Sequence, residues 1–370
     1  MKTTACKHGL WILVVSLSLL TAACSSIVTP PPQVIEKIVP VTVTPKPIAV
    51  PKVALIMNGK RNDQSWNQYM ADDLQKLADK GKAQVSYAED VSPADYERVA
   101  GDYATQKYDL IIAHTEDYTE AALKVAKQYP DIHFAITGGS RFLPNLAGLN
   151  TWDHQSSAAA GYLAALLSKT KTVGIVGAFS YPTQLVEHEG FKFGVFTANQ
   201  EALQADKNAK QVHCVETFTN TWSDTALGYE AAKAQMDQGA DVIYITASGP
   251  GFGVIQAAEE SKKARVIGSF VDMNSFAPDV VVTSSERHAE LPLEAILADI
   301  QAGTFTGKDY SFDLTNGGVA LSPYHGFDAQ IPQDVKSEVE QFKEKVLTGQ
   351  VRVPFVTAKL GGETVCEVKP

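Results

Sequence analysis

The chain has only four cysteines in 370 residues, and none of them sits in a C-x-x-C pair or beside a histidine cluster. That removes the spacing on which a zinc site or a redox motif would rest, so no metal and no cofactor is expected. Catalytic signatures are equally scarce. His114, His154, His188 and His288 are present, yet no H-E-x-x-H and no triad-like pattern surrounds them. A basic block is missing too: 32 basic against 42 acidic residues give a net charge of −10. Nucleic acid needs a concentrated positive surface, which argues against it as a partner. The apolar run at the start, Leu10 to Leu20, is about half of the ~20 residues that span a bilayer.

What that start does contain is a processing pattern. Lys2 and Lys7 precede the apolar run, and Thr21-Ala22-Ala23 lead into Cys24. This is the layout of a secretory signal ending at a lipid-accepting cysteine. Residues 1–23 are therefore expected to be a lipoprotein signal peptide and Cys24 the lipidated (palmitate-bearing) residue, with Thr21 standing where such signals usually carry leucine. Residues 25–51 hold seven prolines and no glycine, which favours an extended tether over 24–51. At roughly 3 Å per residue it would hold a body tens of ångströms from a membrane. Cys6 would leave with the signal, so Cys214 and Cys366 remain as thiols whose proximity the sequence does not determine.

The remaining ~320 residues are enough for one large or two medium domains. They alternate short apolar runs with amphipathic stretches: Val53 to Met57, a helix near 65–80, a strand at Ala83 to Tyr87, a helix at Pro93 to Gln106, and strands at Tyr108 to Ala113 and His133 to Thr137. The same grammar restarts after a helix near 155–168, with strands at Thr172 to Gly177, Gln211 to Thr217, Val242 to Thr246 and Arg265 to Ser269. Apolar strands alternating with helices predict parallel sheets covered on both faces. Two such series predict an α/β molecule of two doubly wound lobes with a cleft between them, and ligands then bind beyond the carboxyl ends of the strands.

The loops at those ends carry recognition chemistry. They contain Asp63, Trp66 and Asn67; His114; Phe179; Trp222 and Asp224; Ser248, Gly249 and Gly251; and Asp272. Aromatic faces beside carboxylates and amides suit a flat, hydrogen-bonding solute. Blander roles stay open for each: Trp66 as packing, Asp63 and Asp224 as helix caps, and Ser248 to Gly253 as a tight strand-to-helix turn. The G-P-G-F-G run lacks the G-K-[ST] ending of a phosphate loop.

Taken in order, several segments resemble the basic membrane protein (Bmp) family of substrate-binding lipoproteins, which includes purine nucleoside receptors. These are Asp63-Gln-Ser-Trp-Asn67, Tyr129-Pro-Asp-Ile-His-Phe-Ala135, Ala159-Ala-Gly-Tyr-Leu-Ala164, Gly239-Ala-Asp-Val-Ile243 with Gly249-x-Gly-x-Gly253, Gly268-Ser-Phe-Val-Asp272, and Thr283-Ser284. The resemblance covers roughly 52–356 and implies a type I periplasmic-binding fold. The expected boundaries are an N-terminal lobe at 52–153 with return segments from the C-terminal region, a C-terminal lobe at 154–303, and a crossover and C-terminal segment at 304–370.

It also implies a lipid-anchored, extracytoplasmic protein, outside the cytoplasm at the cell membrane, that hands a purine nucleoside or nucleobase-like solute to ABC permease subunits. Trp66 would stack on the base, with Trp222 or Phe179 as a second face. Asp63 or Asn67 would bond the base edge or hold the loop, and Asp272 would take ribose hydroxyls. Arg287 stands where the family has lysine, and Phe270 where it has an aspartate. The alternatives are a sensor or adhesin of the same fold, or a nucleoside-processing enzyme.

Overall fold

The computed structural model describes residues 50–356 and Cys366. The signal segment, Cys24 and nearly all of the tether lie outside the described residues. Among the described residues, no helix is long and apolar enough to cross a membrane.

The first apolar runs form β1 (Lys52–Ile56), α1 (Trp66–Asp79), β2 (Gln84–Ala88), α2 (Tyr96–Thr105), β3 (Leu110–Ala113), α3 (Thr119–Gln128), β4 (His133–Thr137) and β5 (Leu146–Thr151). All pairings among these strands are parallel. Every residue of β3 and β5 is buried, whereas edge strand β2 is only half-buried. That contrast is why the inner strands read as unbroken apolar runs: helices cover both of their faces.

The chain then crosses into a second lobe through α4 (His154–Leu167), followed by β6 (Thr172–Gly177), α5 (Pro182–Ala205), β7 (His213–Phe218), α6 (Thr225–Asp237), β8 (Val242–Ile245), α7 (Ser248–Ser261), β9 (Arg265–Phe270) and β10 (Val281–Arg287). It crosses back for α8 (Glu290–Ala302) and β11 (Asp309–Phe312), and returns once more for β12 (Val319–Leu321) and α9 (Gln333–Leu347). The sheet orders are β11-β5-β4-β3-β1-β2 and β12-β10-β9-β8-β6-β7. β11 lies parallel to β5, and β12 runs antiparallel to β10.

One expected boundary differs. α8 falls within the expected C-terminal lobe, 154–303, yet its Leu293, Ile296, Leu297 and Ile300 are buried in one core with Leu55, Leu74, Leu77 and Tyr310 of the first lobe. The return to the first lobe therefore comes at 287–290 rather than near 304. α9 packs on the second lobe, where Phe342 stacks on Tyr162 of α4 at 4.6 Å. Cys214 on edge strand β7 is joined to Cys366 in a disulfide, with Cα atoms 5.9 Å apart.

The three crossings at 151–154, 287–290 and 312–319 are tied together. Trp152 N–H donates to Phe312 O at 2.7 Å, and His288 N–H donates to Gly318 O at 2.9 Å. Arg287 reaches Asp153 with N–O distances of 2.9 and 3.2 Å. Asp73 of α1 accepts from Ala289 N–H at 2.7 Å, fixing the start of α8 against the first lobe.

Candidate functional site

The residues that follow β1 and β3 in the first lobe face those that follow β6, β7, β8 and β9 in the second across a cleft of about 460 Å³. The first lobe contributes Asn58, Lys60, Asp63, Trp66, Asn67, Thr115 and Glu116. The second contributes Tyr181, Gln184, Glu187, Trp222, Ser248, Gly249, Phe252 and Phe270. Six strand ends converging on one cavity is the arrangement expected at the carboxyl edge of doubly wound sheets, and the volume falls within the range of small-molecule sites, about 300–1,000 Å³.

Trp66 opens α1 and is fixed before anything binds. Its ring stacks on His114 at 4.6 Å with 12° between planes, and its Nε1–H donates to His114 O at 3.2 Å. His114 is fully buried, with Nε2 2.8 Å from Trp66 O and Nδ1 3.0 Å from Thr137 Oγ1. Burial pushes His114 down to about 3, so it is a neutral ring at physiological pH. It therefore supports Trp66 from behind and does not line the cleft. Phe270 stands edge-on to Trp66 at 5.6 Å, and the Arg287 guanidinium lies over both rings, 5.4 and 4.9 Å from their centroids. Phe270 holds a positive φ of 71°, a conformation costly for a bulky side chain and often found at ligand sites.

Asp63 shapes the loop that presents Trp66. Its carboxylate accepts from the backbone N–H of Ser65, Asn67 and Gln68 and from Asn67 Nδ2, all at 2.9–3.0 Å. Of the two roles open to it, holding the loop occupies it here, although it also lines the cleft. Asn67 Oδ1, in a residue only 5% exposed, has no partner among the described residues. On the second lobe, Tyr181 stacks on Phe179 at 5.1 Å, and Phe179 tilts against Trp222 at 5.2 Å. Trp222 and Tyr181 reach the cleft; Phe179 braces them and does not line it.

Other expected site residues also serve elsewhere. Asp224 is an exposed helix cap that accepts from Ala226 and Leu227 N–H at the start of α6. Asp272 is held by His325 Nε2 at 2.6 Å and accepts from Asn274 N–H at 3.1 Å, away from the cleft lining. Gly251 faces Ile245 rather than the cleft. The glycine run is no turn, because α7 begins at Ser248. Its glycines instead let α6 and α7 touch: a Cβ on Gly253 would lie 2.0 Å from Thr225 O, and one on Gly249 2.6 Å from the Ser223 backbone. Arg287 is buried beneath Trp66 and bonded to Asp153 and Glu187. Burial and the neighbouring Asp153 push Glu187 well above the usual carboxylate range. The cluster is balanced when Glu187 keeps its proton, leaving one carboxylate for one guanidinium.

Glu116, Tyr181, Gln184, Glu187, Phe252 and Phe270 line the cleft without having been singled out as site residues in the sequence. Glu116 and Tyr181 lie in loops rich in aromatics and carboxylates, a signal that was available. Glu187 and Gln184 sit in the first two turns of α5, which Pro182 opens.

Comparison with known proteins agrees with this architecture. Residues 50–355 match the family model described as ABC transporter substrate-binding protein PnrA-like, Bmp. A purine-binding protein of Brucella abortus is 27% identical over 311 residues, covering 82% of this chain and 83% of its own. A CD4+ T-cell-stimulating antigen of Listeria monocytogenes is 28% identical over 327 residues, covering 82% of this chain and 87% of its own. The solved ABC transporter solute-binding protein of Conexibacter woesei is 29% identical with a TM-score of 0.68, covering 83% of this chain and all of that one. The wholly parallel first sheet, the second sheet with its one antiparallel edge strand, and their crossings are those of a type I periplasmic-binding fold. With its folded body matched almost end to end, the chain belongs to the PnrA-like (Bmp) family of ABC transporter substrate-binding proteins.

Proposed function

We propose that the chain captures a purine nucleoside or nucleobase-like solute between its lobes and presents it to ABC permease subunits, while a lipid on Cys24 and the Pro-rich tether hold it outside the cytoplasmic membrane. The observation that carries the ligand class is Trp66. It is a ring pre-stacked on one side by His114 and lining a cleft whose far wall adds Tyr181, Trp222 and Phe252. A flat heterocycle entering there gains stacking area without reordering the platform. The relative from Brucella abortus, named for purine binding, supports the same reading. The Cys214–Cys366 disulfide supports export, because such bonds persist mainly in oxidising compartments.

Titration of the purified protein with purine nucleosides and bases tests the reading. Saturable binding without turnover is the expected result. Turnover would move the protein to the enzyme class, and no binding to any purine would leave a sensor or adhesin built on the same fold. Radiolabelled palmitate incorporation, lost in Cys24→Ser, tests the anchor separately.

A further inference from the structure

Neither cation at the cleft is free, and the cleft holds a carboxyl group that nothing among the described residues engages. Lys60 is drawn to Asp90 and Glu89, and Arg287 is committed to Asp153 and Glu187. Gln184 donates to Thr246 O and accepts from Ala178 N–H. Against these stands Glu116, two residues beyond the His114 ring that backs Trp66. Among the described residues, its side chain makes no hydrogen bond and no ion pair. Gly138, at φ +80°, makes room for it: a Cβ there would lie 2.6 Å from Glu116 Cγ and 2.8 Å from Oε1. Asn67, whose buried Oδ1 is without a partner among the described residues, lines the same cleft.

A carboxylate takes two donors side by side. Among common purines, only a 2-amino-6-oxopurine sets a ring N–H beside an amino group; a 6-oxopurine has the N–H alone, and a 6-aminopurine sets its amino group beside an acceptor. We propose that Glu116 is the specificity-determining residue of the cleft, reading the paired N–H and amino donors of a guanine-type base stacked on Trp66, and that the want of a free cation excludes phosphorylated nucleotides. This rests on the purine reading of the site.

The electrostatics agree. Burial, with Asp117 on its own turn, pushes Glu116 up to about 7, while Arg287 pulls the other way. Asp63 and Glu187 share the cleft with it, and Lys60 stays paired. Two donors favour the ionised carboxylate, so its pKa falls on binding and a proton leaves near pH 7.

The test is calorimetric titration of guanosine, inosine, adenosine and guanosine 5′-monophosphate into the wild-type protein and Glu116→Gln, at pH 7 in two buffers of different ionisation heat. Guanosine should bind at least tenfold tighter than inosine, adenosine or the monophosphate, with proton release. Glu116→Gln should bring guanosine and inosine within threefold of each other and remove the proton release. Equal wild-type affinity for guanosine and inosine, or a preference unchanged in Glu116→Gln, overturns the proposal while leaving the purine reading intact. Failure of every purine to bind the wild-type protein overturns the purine reading itself. The wild-type comparison needs no variant, so it holds even if Glu116→Gln folds poorly.

Discussion

Trp66 is held by its neighbours before any ligand arrives, and this decides what its replacement should do. One face and the indole N–H are engaged with His114, so the ordering cost of stacking is met by the fold. Trp66→Ala should weaken purine binding tenfold or more, on the order of 1.4 kcal/mol. Trp66→Phe should lose less, because it keeps a ring against His114 and forfeits only the indole bond. Calorimetry with the same ligand compares the three proteins; unchanged affinity in Trp66→Ala would remove Trp66 from the site. At this scale the sequence was legible where chemistry is local. Asp63, Trp66 and Asn67 lie within five residues and stay together around the cleft. Asp272 was not legible, because the partner that occupies it, His325, is 53 residues away. Nor was the role of His114, whose burial depends on strands β3 and β4 closing around it.

Among the elements, helices α4 and α5 lie in closer contact than any pair with side chains between them could. A Cβ on Gly161 would sit 2.0 Å from Phe191 O, one on Gly190 2.3 Å from His154 O, and one on Gly194 1.9 Å from Ala158 O. This explains why Ala158 to Gly161 of α4 are all small residues: α5 backbone lies directly on them. Because the obstacles are backbone atoms, they cannot rotate away. Gly194→Ala should therefore lower the urea unfolding midpoint by the equivalent of about 1–3 kcal/mol or more. Gly326→Ala, with nothing within 4 Å of the new Cβ, should stay within about 0.5 kcal/mol. A Gly194→Ala midpoint matching the control would mean the helices are further apart in solution. Element type was readable from periodicity, and the inner strands, buried on both faces, were readable as apolar runs. Which lobe an element joins was not. α8 carries an apolar stripe that either sheet could bury, and only the packing of Leu293 and Ile296 against Leu55 and Leu77 assigns it.

For the whole molecule the decisive feature is how three chain crossings are joined beneath the cleft. Two backbone hydrogen bonds tie the first and second crossings to the third. Arg287 then binds Asp153 on the first crossing and Glu187 at the cleft floor, so one guanidinium connects the hinge to the ligand cavity. All three side chains are buried, at 4%, 1% and 0% exposure. Removing the cation would leave two acidic groups facing each other without compensation. Arg287→Met should therefore cost about 3–5 kcal/mol in urea unfolding. Adding Asp153→Asn and Glu187→Gln should recover part of that loss, since the uncompensated charge goes with them. If Arg287→Met cost under about 1 kcal/mol, or the triple variant were no more stable than the single one, the cluster would not be a buried ion pair in solution. Its place as the electrostatic joint of the hinge would then be lost.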